Sequence, residues 1–171
     1  MYKTYYASPI GQILILTDGN ALLGLWFEGQ KYFGDGYDLE QAQEEETEVS
    51  RRVSDWLDAY FKGENPAINE IPLAPQVTEF RSKVLTVLQK IPYGQTVTYS
   101  DILRELQAEY GKIGSARAVG GAIGHNPISL LIPCHRIVGS DGKLIGYAGG
   151  LDKKAFLLKL EAGEKTRGWL F

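Results

Sequence analysis

The chain has 171 residues, 44% of them hydrophobic, and a formal net charge of −3. That length can bury a real core, as one domain or two small ones, and no apolar stretch approaches the ~20 residues of a membrane span. The opening residues, Met1 to Tyr6, lack the regions of a signal peptide, and a single cysteine excludes an internal disulfide and suits a reducing cytoplasm.

Charge is distributed unevenly. Residues 1–70 hold 13 acids and 5 bases, a net of −8, whereas residues 71–171 hold 8 acids and 13 bases, a net of +5. This is the asymmetry of a protein with one lobe that meets phosphate at modest, salt-sensitive affinity. A merely uneven surface gives the same numbers.

Lys3 to Ala7, Gln12 to Thr17 and Ala21 to Phe27 read as three strands. Asp18-Gly19 offers the positive φ of a tight hairpin between the second and third. Gly29 to Glu40, rich in Gly and Tyr, reads as loop, and Glu44-Glu45-Glu46 as a solvated face at a helix start. Glu48 to Phe61 is helical, with Val49, Val53, Trp56, Leu57 and Tyr60 on one face, and Gly63 ends it. Asn65-Pro66, Pro72 and Pro75 mark a linker, giving an N-terminal lobe over 1–72 and a C-terminal lobe over 73–171.

Thr78 caps a helix carrying Phe80, Val84, Leu85, Val87 and Leu88, which Pro92-Tyr93-Gly94 breaks. Thr98 to Leu106 and Ser115 to Gly124 are two short helices, the arrangement of a helix-turn-helix. The connector between them, Ala108 to Gly114, is longer than the tight turn of that motif. Asn126-Pro127 stops the second helix. Leu130-Leu131-Ile132 is a short buried segment leading to Cys134, Asp141-Gly142 is a turn, and Leu151 to Glu161 is a last helix with Phe156, Leu157 and Leu160 inward.

Cys134 lies in Leu131-Ile132-Pro133-Cys134-His135-Arg136-Ile137-Val138. A thiol attacks as the thiolate, and an adjacent His and Arg can lower its pKa. A lone cysteine after an apolar run also reads as a small buried hydrophobe. With His125 and His135 it makes too few soft ligands for a closed zinc site, so no metal is expected. The flanking motifs favour the nucleophile. They are Pro92-Tyr93-Gly94, Val97-Thr98-Tyr99, Ala116-Arg117-Ala118-Val119-Gly120-Gly121-Ala122, Asn126-Pro127 and Tyr147-Ala148-Gly149-Gly150-Leu151, with Glu161 beyond. Together with Ile132-Pro133-Cys134-His135-Arg136 they resemble the methylated-DNA–protein-cysteine methyltransferases, which repair O6-alkylguanine. The resemblance is dense from Phe80 to Glu161 and weak over the first 70 residues. Those contain neither Cys nor His, so the N-terminal zinc site of some relatives is absent.

The resemblance implies an α/β fold. A small N-terminal ribonuclease-H-like lobe of sheet plus helix serves as scaffold. A mainly helical C-terminal lobe holds a winged-helix-like helix-turn-helix. It implies irreversible, stoichiometric transfer of the alkyl group from O6-methylguanine to Cys134, with O4-methylthymine a second candidate substrate and no cofactor. The partner is double-stranded DNA, gripped through the minor groove with the base flipped out, by a cytoplasmic monomer. Catalysis is expected from Cys134, His135 as base through a water, Glu161 orienting the histidine, and Tyr99 donating to the departing oxygen. DNA and base contacts are expected from Arg117, filling the gap left by the flipped nucleotide, and from the small face of Ala116, Gly120 and Gly121. Asn126, Arg136, Tyr147 and Ala148 complete that set, Asn126 tying the turn before Cys134 and Ala148 offering its N–H to O6. Ile145, where some relatives have glycine, is expected to narrow the pocket.

Two rival readings stand beside this one. The first is a regulatory or alkylguanine-recognising helix-turn-helix protein that transfers nothing, and the presence of Cys134 argues against it. The second is a cysteine hydrolase, for which no oxyanion-hole motif is evident.

Overall fold

The structure, a computed structural model, describes residues 1–163. The last residues of the expected C-terminal lobe, 164–171, lie outside the described residues. The chain forms two compact units. Among the described residues, one comprises 1–76 with 127–129, and the other 77–126 with 130–163.

The first unit is a four-stranded sheet in the order β3-β2-β1-β4, with β1 (Tyr2–Ser8), β2 (Gly11–Thr17), β3 (Leu22–Phe27) and β4 (Gln43–Glu44). The tight hairpin is the first one, where Ser8 faces Gly11 across Pro9-Ile10. The Asp18-Gly19 turn is wider than expected, because Thr17 pairs with Leu22. Asp18 Oδ1 closes that loop by accepting from the Asn20 and Ala21 amides at 2.9 and 2.8 Å, with Gly19 at φ +93°. The acidic run is exposed just ahead of α1, as expected, and its first residue also joins the sheet. Gln43 and Glu44 pair in parallel with Tyr2 and Lys3, so the run begins as a charged edge strand, which discourages edge-to-edge pairing. Thr47 and Ser50 then form a capping box that opens α1 (Glu48–Phe61), which packs on β1 and β2.

Leu14, Leu16, Leu23 and Trp26 pack with Ala42, Tyr37 and Leu39. Gly24 is required there, since a Cβ would stand 2.1 Å from the Trp26 indole. Pro127–Ser129 lie along β3, where the Leu25 amide donates to Pro127 O at 2.7 Å and the Ser129 amide to Leu25 O at 2.9 Å. Leu130 follows, buried and at φ +71°, a backbone state that L-residues rarely adopt.

The second unit holds α2 (Glu79–Leu88), β5 (Val97–Thr98), α3 (Tyr99–Tyr110), α4 (Ala116–Gly124), β6 (Ile137–Val138) and α5 (Leu151–Glu161). Thr78, Thr98 and Ser115 cap their helices by accepting from the amides of Arg81, Asp101 and Ala118. Helix α2 packs against both α3 and α4. Helix α3 runs four residues beyond its expected end. Lys90 bridges Glu105 and Glu109 on that last stretch, and Gly111 at φ +77° stops it. The connector to α4 is therefore residues 111–115, not 108–114. Strand β5 pairs in parallel with β6, which fixes the start of α3 beside the residues just after Cys134. Among the described residues no helix is long and apolar enough to cross a membrane.

Candidate active site

Pro133 leads into a short 3-10 turn, Cys134–Arg136, rather than an extended segment. The Cys134 side chain is 7% exposed. Asn126, at the exit of α4 and itself buried, uses one amide nitrogen twice. Its Nδ2 donates to Ile132 O at 2.8 Å and to Cys134 Sγ at 3.3 Å. The expected tie between the helix exit and the cysteine segment is thus a bond to the sulfur as well. Burial pushes the thiol pKa up, while the Asn126 donor and then the Lys154 charge pull against that rise. His135 and Arg136 do not supply this pull, contrary to the sequence expectation, because both side chains are committed to Glu161.

Glu161 ends α5 and is buried. Its Oε2 lies 2.6 Å from His135 Nε2 and 3.2 Å from an Arg136 terminal nitrogen. Its Oε1 accepts from Arg136 Nε at 2.8 Å and from the Gly94 amide at 3.2 Å. A carboxylate at a helix C-terminus opposes the helix dipole, and these four donors offset that cost. A carboxylate only accepts, so Nε2 carries the hydrogen and Nδ1 is the acceptor of the neutral ring. Burial, the largest influence on His135, lowers its pKa, and Glu161 raises it by less. His135 is therefore neutral at neutral pH and able to take a proton.

Arg136 departs from its expected place among the DNA contacts. It is buried, donates to Ile91 O at 2.7 Å as well as to Glu161, and stacks over the Tyr93 ring. Its guanidinium is consumed inside the fold. Tyr99 is half-buried at the first position of α3. Burial raises its phenol pKa, and the charge of a Cys134 thiolate raises it further. The Tyr147 ring meets His135 edge-on at 6.5 Å between centroids, and Ala148, next in chain, is half-buried.

Arg117 and Ala116 are exposed on the first turn of α4. Gly120 and Gly121 have open space where a Cβ would stand, so no contact within the described residues requires glycine there. Ile145 is 41% exposed on the 139–150 loop.

Two residues of the site were missed from the sequence. Gly94 takes φ +78°, gives its amide to Glu161, and would press a Cβ to 3.3 Å from Glu161 O. Lys154 is 1% exposed and donates to Ile145 O at 2.8 Å and Gly146 O at 3.0 Å. Helical spacing carries a signal for it, since 154, 157 and 161 share a face with buried Leu157 and Glu161. Among the described residues no cluster of His, Cys, Asp and Glu could hold a metal.

A buried thiol held by an amide donor, beside a histidine–carboxylate pair in a helical unit with an exposed arginine helix, defines a cysteine-based acceptor protein. The family comparisons agree. The 6-O-methylguanine DNA methyltransferase ribonuclease-like domain matches residues 1–75, and the DNA binding domain of the same enzyme matches residues 79–163. The chain is 41% identical over 161 residues to the methylated-DNA–protein-cysteine methyltransferase of Haemophilus influenzae, covering 94% of this chain and 86% of that one. It is 43% identical over 162 residues to the enzyme of the same name from Methanosarcina acetivorans, covering 94% and 98%. The crystal structure of Mycobacterium tuberculosis OGT in complex with DNA superposes with a TM-score of 0.85 at 35% identity, covering 100% and 99%. The chain belongs to the methylated-DNA–protein-cysteine methyltransferase family.

Proposed function

We propose that this protein repairs alkylated DNA directly, moving the methyl group of O6-methylguanine to the Cys134 sulfur once per chain. The observation that carries this reading is the buried Cys134 thiol, held by Asn126 and followed immediately by the His135–Glu161 pair. The sulfur attacks the methyl carbon, an S–C bond forms, and the C–O bond to guanine breaks. The thiol proton passes through a bridging water to neutral His135, whose charge Glu161 then balances. Tyr99 donates its proton to the guanine as charge leaves the oxygen, and the proton held by His135 returns to the phenolate through water, so that one proton leaves the thiol, one reaches the base and both side chains end neutral. A thioether is a very poor leaving group, and the thiol is not restored.

Double-stranded DNA reaches this site by presenting the damaged base flipped out, with α4 in the minor groove and Arg117 in the vacated place. The glycines of α4 that face open space allow that approach. Tyr147 and Ala148 form the pocket lip. The first unit serves as scaffold, the protein works as a monomer, and a thiol that must stay reduced supports a cytoplasmic location.

Intact-mass analysis after mixing with a duplex holding one O6-methylguanine tests the reading. One methylene per chain is expected on Cys134, and none on Cys134→Ser. Continued turnover, or a methyl group on another residue, would sink it.

A further inference from the structure

Burying a lysine ammonium is costly unless its hydrogen-bond donors are met and its charge has a use. Lys154 is 1% exposed, yet no carboxylate is bonded to it among the described residues. Its Nζ donates instead to two successive carbonyls, Ile145 O and Gly146 O. Those carbonyls belong to the loop that runs directly into Tyr147 and Ala148. Gly146 there holds φ +48°, a left-handed state that an anchored backbone maintains. Helix α5 thus holds this loop by its second turn and holds His135 by its last residue, Glu161.

Lys154 has a second connection, to the sulfur. Burial lowers its pKa, and among the described residues the charge pulling the other way is that of Cys134. The groups that share this field are Tyr99 from α3, His135 and Arg136 from the turn, and Glu161 from α5. Arg136 faces Glu161, so its charge is spent there, and His135, bonded to the same carboxylate, is neutral. Among the described residues Lys154 is the cation whose charge acts on Cys134.

We propose that Lys154 is a positioning residue of the acceptor site, clamping the Ile145–Gly146 backbone so that Tyr147 and Ala148 stand at the pocket, and holding a fixed positive charge in the field of Cys134 Sγ. This rests on Cys134 being the methyl acceptor. It makes Lys154 act through the loop and the sulfur rather than by touching the base.

The test compares Lys154→Met, of similar length without charge or donors, and Lys154→Arg, which keeps both. Thiolate absorbance is titrated as a difference against the matching Cys134→Ser protein, which cancels the tyrosines. Single-turnover methyl transfer from duplex DNA is read by intact mass, and amide exchange is followed over 145–148. In Lys154→Met, the thiolate fraction at a given pH should fall roughly tenfold, the equivalent of about one pKa unit. Transfer should slow at least as much, and the loop amides should exchange faster. Lys154→Arg should restore the titration. A Met variant that melts lower but titrates and transfers within about twofold of the parent would overturn the proposal, leaving Lys154 a packing residue. If Lys154→Met does not fold, Lys154→Arg decides: a thiol that titrates about one pKa unit higher than the parent's although the positive charge is retained counts against the charge. Failure of the parent protein to accept a methyl group would instead refute the reading of Cys134, and the thiol titration would still report on Lys154.

Discussion

Replacing Glu161 with glutamine keeps the shape of the side chain and removes its charge. In the native site, both carboxylate oxygens accept, from His135 Nε2, two Arg136 nitrogens and the Gly94 amide. A glutamine has one oxygen and one NH2 group. Whichever way it turns, the NH2 faces an N–H, of His135 or of Arg136, and one pair becomes donor against donor. Arg136 also stays buried without a counter-ion. Breaking a buried pair from one side costs about 3–5 kcal/mol. For a chain of this size each kcal/mol moves the melting temperature by roughly 2–4 °C, so a fall of about 6–20 °C is expected. The chemical effect is separate. Without an accepting carboxylate, His135 loses both its fixed tautomer and the balance for its positive charge. General acid–base contributions are of order 10²–10⁴, and the single-turnover transfer rate should drop by at least the lower figure. The assay is intact mass against time at a temperature where circular dichroism shows the variant folded. Retained DNA binding shows that the loss is chemical. A folded Glu161→Gln protein that transfers methyl within about twofold of the parent would refute the relay.

Arg117→Ala should slow repair in duplex DNA far more than reaction with the free base, which needs no flipping; equal losses on both substrates would assign Arg117 to the chemistry or the fold. Ile145→Gly should raise transfer from O6-benzylguanine and change methyl transfer little. A branched side chain overpacking the pocket costs about 1–3 kcal/mol, or roughly tenfold to hundredfold, and no gain in benzyl transfer would remove Ile145 from the pocket wall. Because burial lowers the His135 pKa, transfer should be level above about pH 6.5 and fall on the acid side as the ring takes a proton. The stability linked to this shift has the same sense. The unfolded chain binds the proton first, so the contribution is full above the unfolded value and is lost as pH falls through the folded one. A transfer rate that rises on acidification would contradict this. Asn126→Ala removes the amide donor to the sulfur and one of the two donors to Ile132 O, which keeps the Cys134 amide. Chemical denaturation should show a loss of about 1–3 kcal/mol, and the thiol should titrate higher. An unchanged titration would limit Asn126 to holding the turn.

Local signals in the sequence were read well where local physics decides the outcome. Thr78, Thr98 and Ser115 cap their helices because a short side-chain oxygen reaches an amide three residues on, whatever lies elsewhere. Helix α3 runs past Leu106 to Gly111, whose left-handed backbone stops it, and the exposed pairs of Lys90 with Glu105 and Glu109 contribute little to that. The width of the Asp18-Gly19 turn depends on register with β2, which a dipeptide does not encode. Cys134, His135 and Glu161 are legible because their spacing belongs to a known motif, and the structure brings the His135 and Glu161 side chains together beside Cys134. Position in a motif does not say whether a guanidinium points to solvent or, as that of Arg136 does, to Glu161. Gly94 and Lys154 bond partners 67 and 9 residues away, and only the fold brings those pairs together.

The acceptor site answers a conflict between reach and reactivity. A thiol that takes a methyl group from a base must sit where water is excluded, and exclusion raises its pKa and weakens it as a nucleophile. A neutral histidine with its hydrogen fixed toward Glu161 can take the proton during attack, so that a resting thiolate is unnecessary. Asn126 and Lys154 then act on the sulfur as its charge develops. The same burial would hinder an enzyme that had to release a product from the sulfur and admit water to regenerate it. A protein that reacts once has no such step. Deep burial of the nucleophile, which a hydrolase would need to relieve, is therefore consistent with stoichiometric transfer and argues against the hydrolase reading.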